Sequence, residues 1–250
     1  MSDLRPYYQS EGVTIYKGDC RDLLPALDEA DLCLADPPYE ETSLGWDVGV
    51  SEWLPKLRLA TSGSVWCFGS MRSFMKSARE FDGWNFAQDV VWEKHNGSNF
   101  MADRFRRVHE HVLQFYRGRW SDVWKAPVKT PDAVKKTVRK KGRPPAWQGR
   151  IGPGHYVSED GGPRLQRSVI RMRSCHSYAD HPTQKPAGLV GQLIEYSCPR
   201  GGLVVDPFMG SGTTLVAARE LGRRVVGIEK ELEWCEVAVR RLSQKTLELV

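Results

Sequence analysis

The chain has 250 residues, of which 40% are hydrophobic and 27% charged, so it can bury one substantial core and a smaller appendage. It has no apolar run of about eighteen residues and no basic start followed by an apolar segment, so we expect neither membrane insertion nor secretion. A formal net charge of +5 is compatible with a polyanionic partner but does not identify one.

Short apolar, β-rich runs alternate with amphipathic stretches along most of the chain, which is typical of an α/β fold with a mainly parallel sheet. The predicted strands are Val13–Tyr16, Asp31–Ala35, Ser64–Phe68, Phe86–Trp92, His109–Phe115, Leu203–Val205 and Arg224–Ile228. The clearest predicted helices are Met71–Glu80, Pro186–Tyr196, Gly212–Leu221 and Glu231–Lys245. We expect a doubly wound, Rossmann-like core that binds ligands at the carboxyl ends of its strands.

The stretch Arg117–Ser174 breaks this alternation, because it is rich in Lys, Arg, Pro and Gly and has little hydrophobic periodicity. We therefore expect residues 1–116 and 176–250 to form two halves of one domain, with residues 117–175 as an insertion between them. A charge run is usually a solvated surface, so this composition by itself does not establish a nucleic-acid contact.

The predicted strand Asp31–Ala35 delivers Asp36, Pro37, Pro38 and Tyr39 at its carboxyl end. Each proline removes a backbone donor and restrains the residue before it, so this loop is stiff and presents mainly hydrogen-bond acceptors. Acceptors suit an amino group conjugated to a ring, because holding both of its protons favours a more tetrahedral nitrogen. We expect the Asp36 carboxylate and the Pro37 carbonyl to accept these bonds. The face of the Tyr39 ring would stack on the substrate, so its hydroxyl should matter little.

The segment Leu203–Thr214 is an apolar strand that runs into a glycine-containing turn and then a helix. Gly210 and Gly212 allow a tight turn and let a ligand approach the N–H groups at the start of that helix. The turn lacks the Gly-Lys-Ser/Thr end of a P-loop, and Leu215 occupies the third glycine position of a dinucleotide fingerprint. The following strand ends at Glu229, where such sheets present an acid to ribose hydroxyls. The combination predicts a nucleoside site.

The order of these motifs resembles the beta-class amino-methyltransferases of DNA, in which the catalytic motif precedes the cofactor motif. Asp36–Tyr39 matches their catalytic tetrapeptide, and Asp206–Thr213 matches their cofactor loop. His181–Pro186 resembles the segment that lies against the methionine part of the cofactor, and Gly18–Cys20 resembles a turn near the start of the family's chains. The resemblance implies a class I methyltransferase fold with a seven-stranded, mostly parallel sheet and an inserted basic target-recognition region.

The resemblance implies methyl transfer from S-adenosylmethionine to the exocyclic N6 of an adenine flipped out of duplex DNA. The implied catalytic residues are Asp36, Pro37, Pro38 and Tyr39. The expected cofactor-binding residues are Asp19, Cys20, Asp36, Pro37, Thr183, Gln184, Lys185, Pro186, Asp206, Pro207, Phe208, Met209, Gly210, Ser211, Gly212, Thr213, Glu229 and Lys230. A cationic sulfonium would be attracted by the strand-end acids Asp19, Asp36, Asp206 and Glu229.

A base-modifying site makes phosphate contact the better interpretation of the basic insertion, in which aromatic residues are interleaved with the charges. The candidate DNA-binding residues are Lys129, Lys135, Lys136, Arg139, Lys140, Lys141, Arg143, Arg150, Arg171 and Arg173. The polar loop Lys94–Met101 either orders on DNA or closes over the extruded base, or it is a plain mobile surface loop, and the sequence does not favour a functional role over the plain loop.

The sequence does not indicate a metal site or a thiol nucleophile. His109 and His111 are two apart on a predicted strand, but no third ligand is evident, and we assign no metal. The six cysteines include no CxxC pair and fit a reducing cytoplasm. No Pro-Cys dipeptide occurs, which argues against the cysteine chemistry of C5-cytosine methylation.

Alternatives to adenine methylation stay open. The family uses closely similar chemistry on cytosine N4, often with Ser at the first catalytic position, so Asp36 favours adenine without excluding cytosine. A second alternative is an RNA methyltransferase. A third is an inactive DNA-binding relative, although the catalytic and cofactor motifs are both intact. By analogy we expect a homodimer in the cytoplasm of a prokaryotic cell, associated with the nucleoid. Restriction-modification, a solitary regulatory role and protection of a phage genome are not distinguished.

Overall fold

The computed structural model describes residues 4–97, 103–140, 153–175 and 183–247. The strands are β1 (Tyr8–Ser10), β2 (Val13–Lys17), β3 (Ala30–Ala35), β4 (Leu59–Gly69), β5 (Asn85–Glu93), β6 (His109–Tyr116), β7 (Lys129–Thr130), β8 (Lys136–Lys140), β9 (Gly154–Ser158), β10 (Arg164–Leu165), β11 (Val169–Arg171), β12 (Leu203–Asp206) and β13 (Arg224–Glu229). The α-helices are α1 (Cys20–Leu23), α2 (Met71–Lys76), α3 (Ala187–Ser197), α4 (Thr213–Glu220) and α5 (Leu232–Leu247). Within the described ranges, no helix has the length and apolar character needed to cross a bilayer.

The main sheet has nine strands in the order β1-β2-β13-β12-β3-β4-β6-β5-β11. Strands β2, β13, β12, β3 and β4 are parallel, and β6 runs antiparallel to both β4 and β5. All seven predicted strands lie in this sheet, and the predicted fold class is confirmed. The additional strands β1 and β11 form its two edges. Each has three residues, which is too short for hydrophobic periodicity to reveal it.

The central strands are buried on both faces of the sheet, which explains their continuous apolar sequence. Successive side chains of β3 point to opposite faces. Leu32 and Leu34 pack in a cluster that includes residues of α3, α4 and α5. Cys33 and Ala35 pack in a second cluster on the other face. The strand is therefore fixed from both sides, and the polar residues that follow it emerge at a defined place on the sheet edge.

The predicted helix Met71–Glu80 is divided into α2 and a 3₁₀ turn, Ala78–Phe81. At the break, the Ser77 hydroxyl donates to the Ser73 carbonyl at 2.9 Å, and ψ of Ser77 is 16°. A serine that bonds to the preceding turn weakens a helix. The sequence pattern continued across this position, so the break was not predicted.

Residues Pro127–Arg167 form a separate compact unit with two short antiparallel ladders, β7 with β10 and β8 with β9. The predicted insertion, 117–175, is longer than this unit at both ends. The flanking segments belong to the larger unit, because the Trp124 amide donates to the Ser62 carbonyl at 2.8 Å and β11 pairs with β5. Such pairing depends on strands distant in the chain, which local composition does not reveal.

A buried hydrogen bond joins the sheet to α3 and predicts a stability effect. Trp66 Nε1 on β4 donates to Ser197 Oγ at 2.7 Å, and both side chains are buried. Ser197→Ala leaves this indole N–H without an acceptor, and we expect the free energy of unfolding to fall by about 1–3 kcal/mol. Urea unfolding measures the change. The matched variant Ser243→Ala, at an exposed position of α5, should stay within about 0.5 kcal/mol of the parent. An equally small effect of Ser197→Ala would contradict the prediction.

Candidate active site

A cavity of about 380 Å³ opens at the carboxyl ends of β2, β3, β12 and β13. This volume is within the usual range for small-molecule pockets. The four strands deliver Asp19, Asp36, Asp206 and Glu229 to its lining. Acids that are far apart in the sequence meet here because parallel strands all end at the same edge of a sheet.

Most of the expected cofactor-binding residues line this cavity: Asp19, Cys20, Asp36, Thr183, Gln184, Lys185, Asp206, Pro207, Phe208, Met209, Gly210, Ser211, Thr213, Glu229 and Lys230. The structure does not place Pro37, Pro186 or Gly212 in that lining. Pro186 is the residue before α3. Gly212 has φ +79°, and a Cβ there would lie 2.9 Å from the Ala238 side chain. This glycine therefore allows α4 to approach α5, rather than making room for a ligand.

The turn after β12 is held by side chains from β13 and α5. The Gly210 and Glu231 amides each donate to a different oxygen of Glu229, both at 2.9 Å. Arg241 donates to the Ser211 carbonyl at 2.7 Å and to its hydroxyl at 2.9 Å. Glu229 thus organises the turn while facing the cavity. Since each carboxylate oxygen has two acceptor positions, capacity for ribose hydroxyls is left.

The strand-end acids differ in their charge. Asp19 caps α1 and pairs with Arg21 at 2.6 Å, and this hydrogen-bonded partner lowers the pKa of Asp19 to about 2. Its charge is already compensated, contrary to the expectation that all four acids act together on a cation. Asp206 is 4% exposed, and burial raises its pKa to about 7. Asp206 therefore changes its charge near neutral pH.

The predicted catalytic tetrapeptide, Asp36–Tyr39, lies where this cavity meets a second one, of about 260 Å³. The aromatic residues that line the second cavity are Tyr39, Trp53, Phe68, Phe74 and Phe81. The residues that line both cavities are Pro38, Gly49, Val50 and Phe68. The Tyr39 hydroxyl donates to Asp36 Oδ1 at 2.8 Å, a contact that stacking alone did not predict.

The loop after the tetrapeptide borders both cavities and is fixed by Asp47. This carboxylate accepts the backbone N–H groups of Glu40, Glu41 and Thr42 at 2.8, 2.9 and 2.7 Å. Although its burial acts in the opposite direction, these bonds and the Thr42 hydroxyl lower the pKa of Asp47. The loop therefore has a defined shape beside Asp36–Tyr39.

Asp36 belongs to a network of alternating charges that is partly buried and has the buried Lys185 at its centre. Lys185 Nζ lies 2.7 Å from Asp36 Oδ2 and 3.4 Å from Glu110 Oε2, and Lys94 pairs with Glu110 Oε1. Burial raises the pKa of Asp36, and the Lys185 charge opposes this shift. Glu110 is held ionised, because Lys185 and Lys94 outweigh its burial and lower its pKa to about 2. Two ammonium groups thus balance two carboxylates.

Sequence reasoning missed Glu110 and Lys94. The antiparallel β6 begins at the edge where its parallel neighbours end, and His111 pairs with Gly69, the last residue of β4. Glu110 therefore faces the site from the start of a strand, whereas sequence reasoning considered only strand ends. Its signal was a carboxylate near the start of a predicted strand. Trp46 and Trp234 were also missed, and both line the larger cavity.

The expected DNA-binding residues lie in both compact units. Those that the structure describes as exposed are Lys129, Lys135, Lys136, Arg139, Arg171 and Arg173. Lys135 pairs with Glu159 and Arg171 with Glu93, each at 3.6 Å, so part of this charge is compensated. The backbone of Lys140 belongs to β8. Lys141, Arg143 and Arg150 are outside the described residues, as are residues 98–101 of the loop Lys94–Met101 and residues 181–182.

The described residues contain no group of three His, Cys, Asp or Glu side chains that could hold a metal ion. The His109 and His111 rings have centroids 5.1 Å apart, and burial lowers the pKa of His111. All six cysteines are free and buried. Nothing in this part of the structure leads us to assign a metal.

The fold and the site define an S-adenosylmethionine-dependent methyltransferase, with a donor cavity on a doubly wound sheet and an Asp-Pro-Pro-Tyr loop at its border. A family model described as DNA methylase, that of the N6/N4 methyltransferases, matches residues 30–240. The chain belongs to this family of DNA methyltransferases. The resemblance inferred from the motifs is thereby confirmed.

Relatives and solved structures agree with this assignment. The chain is 27% identical to the Type II methyltransferase M2.MboI of Moraxella bovis, covering 97% of this chain and 93% of the relative. It is 28% identical to M.HinfI of Haemophilus influenzae, covering 92% and 68%. The fold is similar to that of the M1.HpyAVI-SAM complex (TM-score 0.62, 22% identity, covering 92% and 99%). It is also similar to that of the cytosine-N4-specific PvuII DNA methyltransferase (TM-score 0.66, 17% identity, covering 95% and 88%).

The raised pKa of Asp206 predicts pH-dependent cofactor binding. A sulfonium cation favours the ionised carboxylate, so binding of S-adenosylmethionine should release a proton. Its affinity should therefore rise as the pH increases through about 7. S-adenosylhomocysteine has the same amino and carboxyl groups but no sulfonium charge, and its affinity should change much less. Isothermal titration calorimetry measures both, and Asp206→Asn should remove the difference. Parallel pH profiles for the two ligands would disprove this role of Asp206.

Proposed function

We propose that the chain transfers a methyl group from S-adenosylmethionine to the exocyclic N6 of an adenine flipped out of duplex DNA. The observation that carries this proposal is the meeting of two cavities at Asp36–Tyr39. One cavity contains the acids and the glycine turn suited to a nucleoside, and the other is lined by aromatic rings suited to a base. Stacking of a base on such rings contributes about 1–3 kcal/mol, which is comparable with the cost of extruding it.

The larger cavity has groups that fit each part of the cofactor. Glu229 has acceptor capacity for the ribose hydroxyls, and Trp46 and Trp234 provide flat apolar surface for the adenine ring. Asp206 provides a buried carboxylate for the sulfonium cation. Bound S-adenosylmethionine supplies an electrophilic methyl carbon attached to a sulfonium.

In the proposed mechanism, Asp36 and the Pro37 carbonyl accept the two protons of the target amino group. Their bonds orient the nitrogen lone pair and stabilise the positive charge that builds on nitrogen as the methyl group is transferred. Burial raises the pKa of Asp36, which makes this carboxylate a better acceptor for the proton that nitrogen then loses. The adjacent Lys185 ammonium favours the ionised form of Asp36 before the base arrives.

Loss of the Asp36 carboxylate should separate catalysis from cofactor binding. We expect Asp36→Ala to lower the single-turnover rate on the order of 100-fold or more, because its bonds strengthen in the transition state. Binding of S-adenosylmethionine, measured by calorimetry, should stay close to that of the parent. Normal turnover by the folded variant would refute the role of Asp36.

The identity of the base is tested by the product. Asp rather than Ser at the first catalytic position favours adenine. Mass spectrometry of nucleosides from DNA methylated by the protein should therefore show N6-methyladenine. A product that contains only N4-methylcytosine would replace adenine by cytosine in this proposal and leave the family assignment intact.

We propose that residues 127–167, together with basic residues near them in the chain, contact DNA phosphates. Lys136 and Arg139 are exposed on β8. Their joint replacement by Ala should weaken binding to all DNA sequences alike and reduce the slope of log affinity against log salt by about 1–2. The matched control is Lys56→Ala with Arg200→Ala, since both residues are exposed and precede strands, at the edge opposite the cavity. Fluorescence anisotropy measures both variants. A changed sequence preference would instead indicate contacts with bases.

The biological setting rests on analogy. Two relatives are named Type II methyltransferases, which supports a restriction-modification setting over a solitary or phage role. The homodimer and the cytoplasmic location stay predictions.

A further inference from the structure

The carboxylate of Glu110 faces two groups of the catalytic site at once. Its Oε2 lies 3.4 Å from Lys185 Nζ and 3.4 Å from the Tyr39 hydroxyl, and its Oε1 pairs with Lys94. The side chains of Glu110 and Lys185 are only 12% and 7% exposed. Buried charges of this kind are strongly destabilising unless they are paired. Each charged side chain is therefore restricted to positions in which it contacts an opposite charge.

Both oxygens of Asp36 are engaged in this arrangement. Oδ1 accepts the Tyr39 hydroxyl at 2.8 Å, and Oδ2 accepts Lys185 at 2.7 Å. The Lys185 ammonium also lies 5.2 Å from the centroid of the Tyr39 ring, on which the base would stack. Each oxygen has one acceptor position left, so a target amino group that binds Asp36 shares this carboxylate with Lys185 and weakens that pair. An ammonium that moves away from Asp36 needs a second anion within reach.

We propose that Glu110 is a positioning residue for methyl transfer, the second carboxylate that takes the Lys185 ammonium when the target amino group binds Asp36. This inference rests on the proposed role of Asp36. Lys185 is already within 3.4 Å of Glu110, so a small movement of one side chain completes the exchange, after which the Tyr39 hydroxyl and the target amino group hold the Asp36 carboxylate. Lys94 anchors Glu110 from the other side, so the acceptor stays in place.

The other charged and titratable groups around Asp36 do not offer this exchange. Asp206 and Cys67 act on it electrostatically, but each is engaged elsewhere. Asp206 accepts the Phe208 amide at 3.0 Å, and the buried Cys67 thiol has its pKa raised by burial, so it is neutral. Among the described residues, Asp36 and Glu110 are the carboxylates that pair with Lys185.

The test is the single-turnover rate of methyl transfer at saturating DNA and cofactor. In Glu110→Gln, Asp36 is the remaining anionic partner of Lys185, so the ammonium is held on the carboxylate that the target amino group must bind. We expect this rate to fall on the order of 10- to 100-fold, with S-adenosylmethionine affinity unchanged. The control Glu29→Gln removes the same charge from a surface pair with Arg58 and should leave the rate at the parent's value.

The pH profile of the same rate distinguishes positioning from a merely structural role. Lys185 favours ionised Asp36 and Glu110 disfavours it, because one is an opposite charge and the other a like charge. The acid limb of the profile should therefore move to higher pH in Lys185→Gln and to lower pH in Glu110→Gln. Shifts in the same direction, or an unshifted limb in Glu110→Gln, would overturn the proposal.

The single variant Glu110→Gln removes the anionic partner of Lys94 and can therefore fail to fold. A second variant keeps the proposal testable in that case. The double variant Lys94→Met with Glu110→Gln removes one charge of each sign and keeps the Lys185–Asp36 pair. It should show the same loss of rate and the same shift of the acid limb. A folded double variant with the parent's rate would refute the proposal for Glu110. If the parent protein itself does not methylate an amino group of DNA, the proposed function fails instead, and the two failures are thus distinguishable.

Discussion

The ion pair between Asp36 and Lys185 connects two segments that are distant in the chain, the loop after β3 and the segment before α3. Lys185 Nζ and Asp36 Oδ2 are 2.7 Å apart, and their side chains are 7% and 24% exposed, so loss of Asp36 would leave the buried Lys185 charge poorly compensated. Each half of the molecule therefore requires the other to be in place. The same pair fixes Asp36 at the border of the two cavities, so the constraint that stabilises the fold also sets the geometry of the site.

The sheet is the means by which the sequence specifies this site. A parallel strand buried on both faces can only release its polar residues at its ends, and all parallel strands end at one edge. Asp36, Asp206 and Glu229 could therefore be assigned to one site from strand patterns alone. Gly212 shows the limit of that reasoning, because a glycine for a ligand and a glycine for helix packing look alike in sequence, and only Ala238 distinguishes them.

Other parts of the site depend on contacts that no local pattern contains. Asp19 has the expected position, but its charge is compensated by Arg21, two residues away. The hydroxyl of Tyr39 acquires its role only because Asp36 lies within 2.8 Å. The ends of the compact unit 127–167 depend on the pairing of β11 with β5, which composition cannot show.

The reversed direction of β6 has a consequence for how such an enzyme can diverge. Every parallel strand supplies the site from its far end, through the loop that follows it. Strand β6 supplies Glu110 from its near end, and the connection that precedes it begins at Lys94, which pairs with Glu110. Substitutions in that connection can alter the handling of the nucleobase independently of the nucleoside pocket. The nucleoside pocket and the site for the target base can therefore vary separately on one scaffold.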